Sequence, residues 1–154
     1  MNTILLMLYL IIIVAPISNF IHELGHAFGA KLAKADRVVL NIGRGSKMIN
    51  FTFRKIEIRI RWLFFTSGNM FSERNREYRS FEIIYITLFG PLCNAIVVFI
   101  LYLVYHILPN SYVLIFLLYN GWLFLMNCIP FKIGMQYSDG LIMIKEILRK
   151  NVYK

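Results

Sequence analysis

Residues 4–21 form an almost unbroken apolar run, and that run leaves the chain few conformational options. In lipid each backbone N–H and C=O needs an internal partner, so an open segment of this kind crosses as a helix. At 1.5 Å per residue the run spans most of a hydrocarbon core about 30 Å thick. The first helix is expected over residues 3–33, with Pro16 kinking it one to two turns before position 22. Similar apolar stretches at 81–108 and 112–130 predict two more crossings. Only 16% of the residues are charged, where a soluble domain has about a quarter. The expected class is a mainly α membrane protein: a single domain, 1–154, with three transmembrane helices.

The charge distribution orients those helices. None of the 17 Lys and Arg residues falls in 1–30 or 80–131; twelve lie in 31–79 and five from Lys132 onward. Basic loops are retained on the cytoplasmic side, which places the N-terminus outside and the C-terminus inside, as in a bacterial cell membrane. A net charge of +9 is compatible with nucleic-acid binding by itself, but this segregation marks topology, so a lipid bilayer and not nucleic acid is the expected partner. Cys93 and Cys128 sit in apolar segments without a Cys-x-x-Cys pair and read as packing residues. A cleaved signal peptide is disfavoured: residues 1–18 lack a basic start, and cutting near Ala15 would strip the membrane anchor from residues 22–26.

Between the first two helices the period changes. Ile56-Glu57-Ile58-Arg59-Ile60-Arg61-Trp62 alternates strictly, as does Ile49-Asn50-Phe51-Thr52-Phe53, which predicts strands joined by a bend at Arg54-Lys55. Val38, Leu40 and Ile42 suggest an earlier strand ended by Gly43-Arg44-Gly45-Ser46. The β element, 37–70, is thus a small membrane-associated hairpin or sheet between helices one and two. Residues 141–154 read as an amphipathic, basic cytoplasmic tail.

Chemistry enters at His22-Glu23-Leu24-Gly25-His26. Positions i and i+4 share a helix face, so two imidazoles can reach one metal ion, while Glu23 points about 100° aside, toward a water. Ionisable residues in a membrane helix are costly and usually functional. If Lys31 marks the cytoplasmic interface, His26 lies about 7 Å deep and His22 about 13 Å. Catalytic zinc takes three protein ligands and one open position, so a third ligand is needed. Glu82, beside Arg79, reads as an interface charge and His106 as a residue of the opposite face. Asp139, just beyond the third hydrophobic segment, is the remaining well-placed carboxylate; its alternative role is an ordinary helix N-cap.

These patches resemble the site-2 protease family of intramembrane zinc metalloproteases. His22-Glu23-Leu24-Gly25-His26-Ala27 resembles its zinc helix, and Phe89-Gly90-Pro91-Leu92-Cys93-Asn94 its Gly-Pro-x-x-Asn element. Asn127-Cys128-Ile129-Pro130 with Asp139-Gly140 resembles its Asn-x-x-Pro and Asp-Gly element, and the segment from Gly43-Arg44-Gly45 to Ser67-Gly68-Asn69 its membrane-associated β hairpin. The resemblance implies a minimal core without a PDZ domain. It implies Zn2+ held by His22, His26 and Asp139, Glu23 as catalytic base, and Asn94 and Asn127 near the site. Either asparagine could donate to an oxyanion or satisfy backbone near the prolines. Asp139 follows Asn127 by more residues than is usual in the family, and Ser138 replaces a common leucine, so this loop must bulge. The expected substrate is a single-span membrane protein or membrane-associated peptide cut near the cytoplasmic face. Residues 47–64 could capture it by strand addition or serve as a basic lipid anchor. The alternatives are a non-catalytic membrane-embedded metal-binding, immunity or scaffold protein, and a metal transporter, which the apolar outer halves of the helices disfavour.

Overall fold

A computed structural model describes residues 2–152; residues 153 and 154 of the expected tail lie outside the described residues. Helix α1 (Thr3–Tyr9), a π-helical turn (Leu10–Val14) and helix α2 (Ala15–Leu32) run as one continuous rod. The π turn ends two residues before Pro16, and the Ala15 N–H reaches back to the Leu10 carbonyl. The widened turn lets the helix pass a residue that has no N–H to donate. Helix α3 (Ser80–Ile107) and helix α4 (Ser111–Cys128) follow the sheet. All three rods are long and apolar enough to cross a membrane. Their outer faces carry exposed Ile11, Phe99, Leu103 and Leu118, the pattern of helices solvated by lipid. Each expected helix ends within two residues of its observed boundary.

Strands β1 (Arg37–Phe53) and β2 (Ile56–Glu73) form an antiparallel pair joined at Arg54-Lys55, where Arg54 takes φ 54°. β2 runs three residues beyond the expected end of the element. Both strands bend, so residues 38–42 lie between two stretches of β2. Val38 to Ile42 faces Ser72 to Gly68 on one side and Ile56 to Ile60 on the other, and 56–60 also pairs with 49–53. The result is four adjacent rows with 49–53 and 68–72 at the edges. The inner row is buried on both faces, Val38 and Leu40 completely. It joins Ala27, Ala30 and Ile86 in the core beneath the first helix.

Small residues let these layers meet. A Cβ on Gly25 would collide with the Phe89 carbonyl oxygen, and one on Gly29 would lie 2.9 Å from Ile86 Cα. Cys93 Sγ packs at the same crossing, whereas Cys128 is exposed and differs from the packing role expected of it.

The lengthened segment after α4 folds into a miniature hairpin, β3 (Lys132–Ile133) and β4 (Gln136–Tyr137), turning at Gly134 with φ 57°. Its base is closed by the Ser138 N–H donating to the Phe131 carbonyl at 3.0 Å. Helix α5 (Asp139–Val152) begins directly after it and packs chiefly on α3. Gly140 is needed there, because a Cβ would strike the Cys128 carbonyl oxygen.

Candidate metal centre

His22 and His26 project from one face of α2, and Asp139 reaches them from the first turn of α5. His22 Nε2 lies 3.1 Å and His26 Nε2 3.4 Å from Asp139 Oδ2, and the two Nε2 atoms are 3.1 Å apart. All three side chains are buried. They form a group that could hold a metal ion.

The other nitrogen of each ring is already engaged. His26 Nδ1–H donates to the Ile86 carbonyl at 3.0 Å. A carbonyl only accepts, so the proton sits on Nδ1 and the Nε2 lone pair faces the site. His22 Nδ1–H donates to Asn94 Oδ1 at 2.6 Å. The amide is oriented by its neighbours: Asn94 Nδ2 donates to Asn120 Oδ1 at 2.9 Å and approaches the Ser18 carbonyl at 3.5 Å. Asn120 Nδ2 in turn donates to Ser18 Oγ and the Phe116 carbonyl, each at 2.9 Å. Ser18, Asn94 and Asn120 are fully buried.

Asp139 Oδ2 is buried and lacks a hydrogen-bond partner among the described residues. Two imidazole lone pairs and a carboxylate oxygen converging in a buried space repel one another unless a cation stands between them. Two neutral imidazoles plus one carboxylate is a donor set of catalytic zinc, with a fourth position left open. The imidazoles' outer hydrogen bonds fix the tautomers such a site requires. The residues therefore fit the metal.

Asp139 is free for this geometry because Ser138 caps α5. Ser138 Oγ accepts from Leu141 N–H at 3.3 Å and from Phe131 N–H at 3.0 Å, and donates to the Ile129 carbonyl at 2.7 Å. The serine thus gathers both ends of the bulged loop, and the extra residues are extruded as β3–β4 without displacing Asp139.

Glu23 is buried beside the histidines and lies against the β2 edge. A Cβ on Gly68 would sit 2.5 Å from Glu23 Cγ and 2.9 Å from Oε1. An open cleft of about 730 Å³ has the buried His22, Glu23, His26 and Asp139 in its lining and is walled by β2 and the β3–β4 hairpin. The β2 wall is Gly68, Asn69, Met70 and Phe71, so the sheet edge at the site is 68–72 and the expected 47–64 edge lies elsewhere. Arg44, held between Gly43 (φ 85°) and Gly45 (φ 90°), reaches Ser67 Oγ at 3.2 Å and Gln136 Oε1 at 3.4 Å, joining the two walls. Tyr137 lines the hairpin side, and Lys132 and Lys145 pull its phenol below the ordinary tyrosine range.

Asn127 lines the cleft but donates to the Leu123 carbonyl in its own helix at 2.9 Å; it makes no hydrogen bond to the three-residue group. Glu82 stands apart, paired with Arg74 at 2.9 Å. His106 lies beside Tyr102 toward the far end of α3, with ring centroids 5.4 Å apart and the planes tilted by 53°. Sequence reasoning misses Asn120 and Ser18. Their signal is present all the same: a polar side chain inside an apolar membrane segment needs a reason. The Ile86 carbonyl, a backbone group, has no such signal.

A family model described as peptidase family M50 matches residues 7–150. No curated protein matches the chain.

Proposed function

Since the chain belongs to peptidase family M50, the site-2 protease family of membrane metalloproteases, we propose that it is an intramembrane zinc endopeptidase. It cuts membrane-spanning or membrane-associated substrates near the cytoplasmic face. The carrying observation is the buried convergence of His22, His26 and Asp139 with Glu23 beside them.

His22, His26 and Asp139 would hold the ion. Bound zinc supplies Lewis-acid polarisation of the scissile carbonyl and acidification of a water. Glu23 takes the proton of the attacking water and delivers it to the leaving amine. Its burial and its close approach to Gly68 limit the carboxylate to a small range of positions. Asn94 and the Ile86 carbonyl keep the imidazoles in the ligating tautomer. Asn94 is therefore a positioning residue, and the oxyanion role falls to Asn127 if its amide turns from Leu123 into the cleft it lines.

A helical substrate conceals its carbonyls in its own hydrogen bonds and must unwind before attack. Residues 68–72 are an edge row beside Glu23, and an unwound segment added there as a strand would be held extended along the cleft that His22, His26 and Asp139 line. The basic loops favour an N-terminus outside and a C-terminus inside a bacterial cell membrane.

The test is cleavage of a panel of single-span substrates by purified wild type and Glu23→Gln. Loss of about 100-fold or more in the variant is expected for removal of a general base. Equal cleavage by both would leave the non-catalytic metal-binding or scaffold reading in its place.

A further inference from the structure

A second cavity, of about 280 Å³, opens where the first rod ends and α3 begins. It is lined by Leu32, Lys34, Arg74, Arg76, Arg79 and Glu82 among others. Four cations against one carboxylate make it strongly positive, and it lies outside the metal centre.

Its floor is rigid. Arg74 donates to both oxygens of Glu82 at 2.9 Å, to the Ala33 carbonyl at 2.7 Å, to the Glu77 carbonyl at 2.8 Å and, through Nε, to the Arg76 carbonyl at 2.8 Å. All five N–H donors of this guanidinium are used, so Arg74 serves structure. Lys34, Arg76 and Arg79 are different. Among the described residues no carboxylate lies within salt-bridge distance of any of them. Lys34 is held at φ 61° just past the helix end, and Arg79 is the N-cap of α3, so both flank a helix terminus at the edge of a membrane-crossing segment. Leu32 and Phe81, about half exposed, stand close to these cations in sequence.

The geometry points to a binding site for the anionic phosphate of a phospholipid headgroup. Lys34, Arg76 and Arg79 contact the phosphate, and the acyl chains run along Leu32 and Phe81. Three unpaired cations around a recess select a phosphate anion. Their position at the ends of two membrane helices selects one carried by a lipid, because this level of the protein meets the headgroup layer. Occupancy would join the base of the zinc-ligand helix to the start of α3, the helix that supplies Asn94 and the Ile86 carbonyl.

The test uses the full chain in neutral detergent, with native mass spectrometry to count retained lipids. Three probes are compared: phosphatidylglycerol, phosphatidylcholine and inorganic phosphate. The variants are Lys34→Gln/Arg76→Gln/Arg79→Gln and, as control, Arg54→Gln/Lys55→Gln at the hairpin tip. Wild type and control should retain phosphatidylglycerol in preference to phosphatidylcholine, and the triple variant should bind it about 100-fold more weakly. Single Arg76→Gln, which leaves both helix ends untouched, should give an intermediate loss of several-fold. Equal retention by wild type and the triple variant, or no preference for the anionic lipid, overturns the site. Displacement of the lipid by millimolar inorganic phosphate would overturn the lipid source and leave a free-phosphate site.

Discussion

At the residue scale, metal binding turns on which group holds each imidazole. His22 is fixed by Asn94 and His26 by a backbone carbonyl, so only the first can be removed by mutation. Asn94→Ala should lower zinc affinity about 10- to 100-fold in a chelator competition assay, whereas Asn127→Ala should leave it nearly unchanged because that amide is bonded within α4. If Asn127→Ala proves the more damaging to zinc affinity, the assignment of the positioning role is wrong. The ligand candidates were legible in sequence because each is an ionisable side chain in, or just beyond, a place that should be apolar. Asn120 and Ser18 carry a weaker version of the same signal. Their partnership with Asn94 depends on helix rotation, which hydrophobic segments that are apolar all round do not encode.

At the element scale, close approach does most of the positioning. Gly68 touches Glu23, and any side chain there must displace the carboxylate or the strand. Gly68→Val should therefore cut proteolysis sharply while leaving zinc content at wild-type level, as read by metal analysis beside a cleavage assay. The Ser138 hydroxyl makes three hydrogen bonds that help close the bulged loop. Ser138→Ala should cost about 1–3 kcal/mol of stability and lower the thermal midpoint in detergent, with partial loss of metal. Unchanged stability would mean that β3–β4 closes by other means. The strands themselves were readable from period-two alternation, and the turn at Arg54-Lys55 with them. The insertion of residues 38–42 between two stretches of β2 was not, since alternation sets which face a side chain occupies but not which row lies beside it. That pairing is what puts 68–72, and not 47–64, at the edge beside the cleft.

At the scale of the whole molecule, one rod, a sheet and the helices beyond it bring residues 117 positions apart in sequence, His22 and Asp139, to 3.1 Å. The number and limits of the membrane helices were legible because lipid demands long, internally bonded apolar segments. Cysteine-accessibility mapping in intact cells should find Asn110 outside and Glu77 and Lys145 inside; the reverse pattern would invert the proposed topology. Crossing of α2 and α3 at Gly25 should be intolerant of bulk, so Gly25→Leu should fail to fold or lose about 1–3 kcal/mol or more, measured as the thermal midpoint. The most direct measurement for the whole structure is zinc K-edge X-ray absorption on the purified chain. The expected result is one zinc per chain with two imidazoles and a carboxylate oxygen, and loss of bound zinc in Asp139→Ala. Zinc absent from the wild type, or retained unchanged in Asp139→Ala, would contradict a centre built from the first membrane helix and the helix that follows the last.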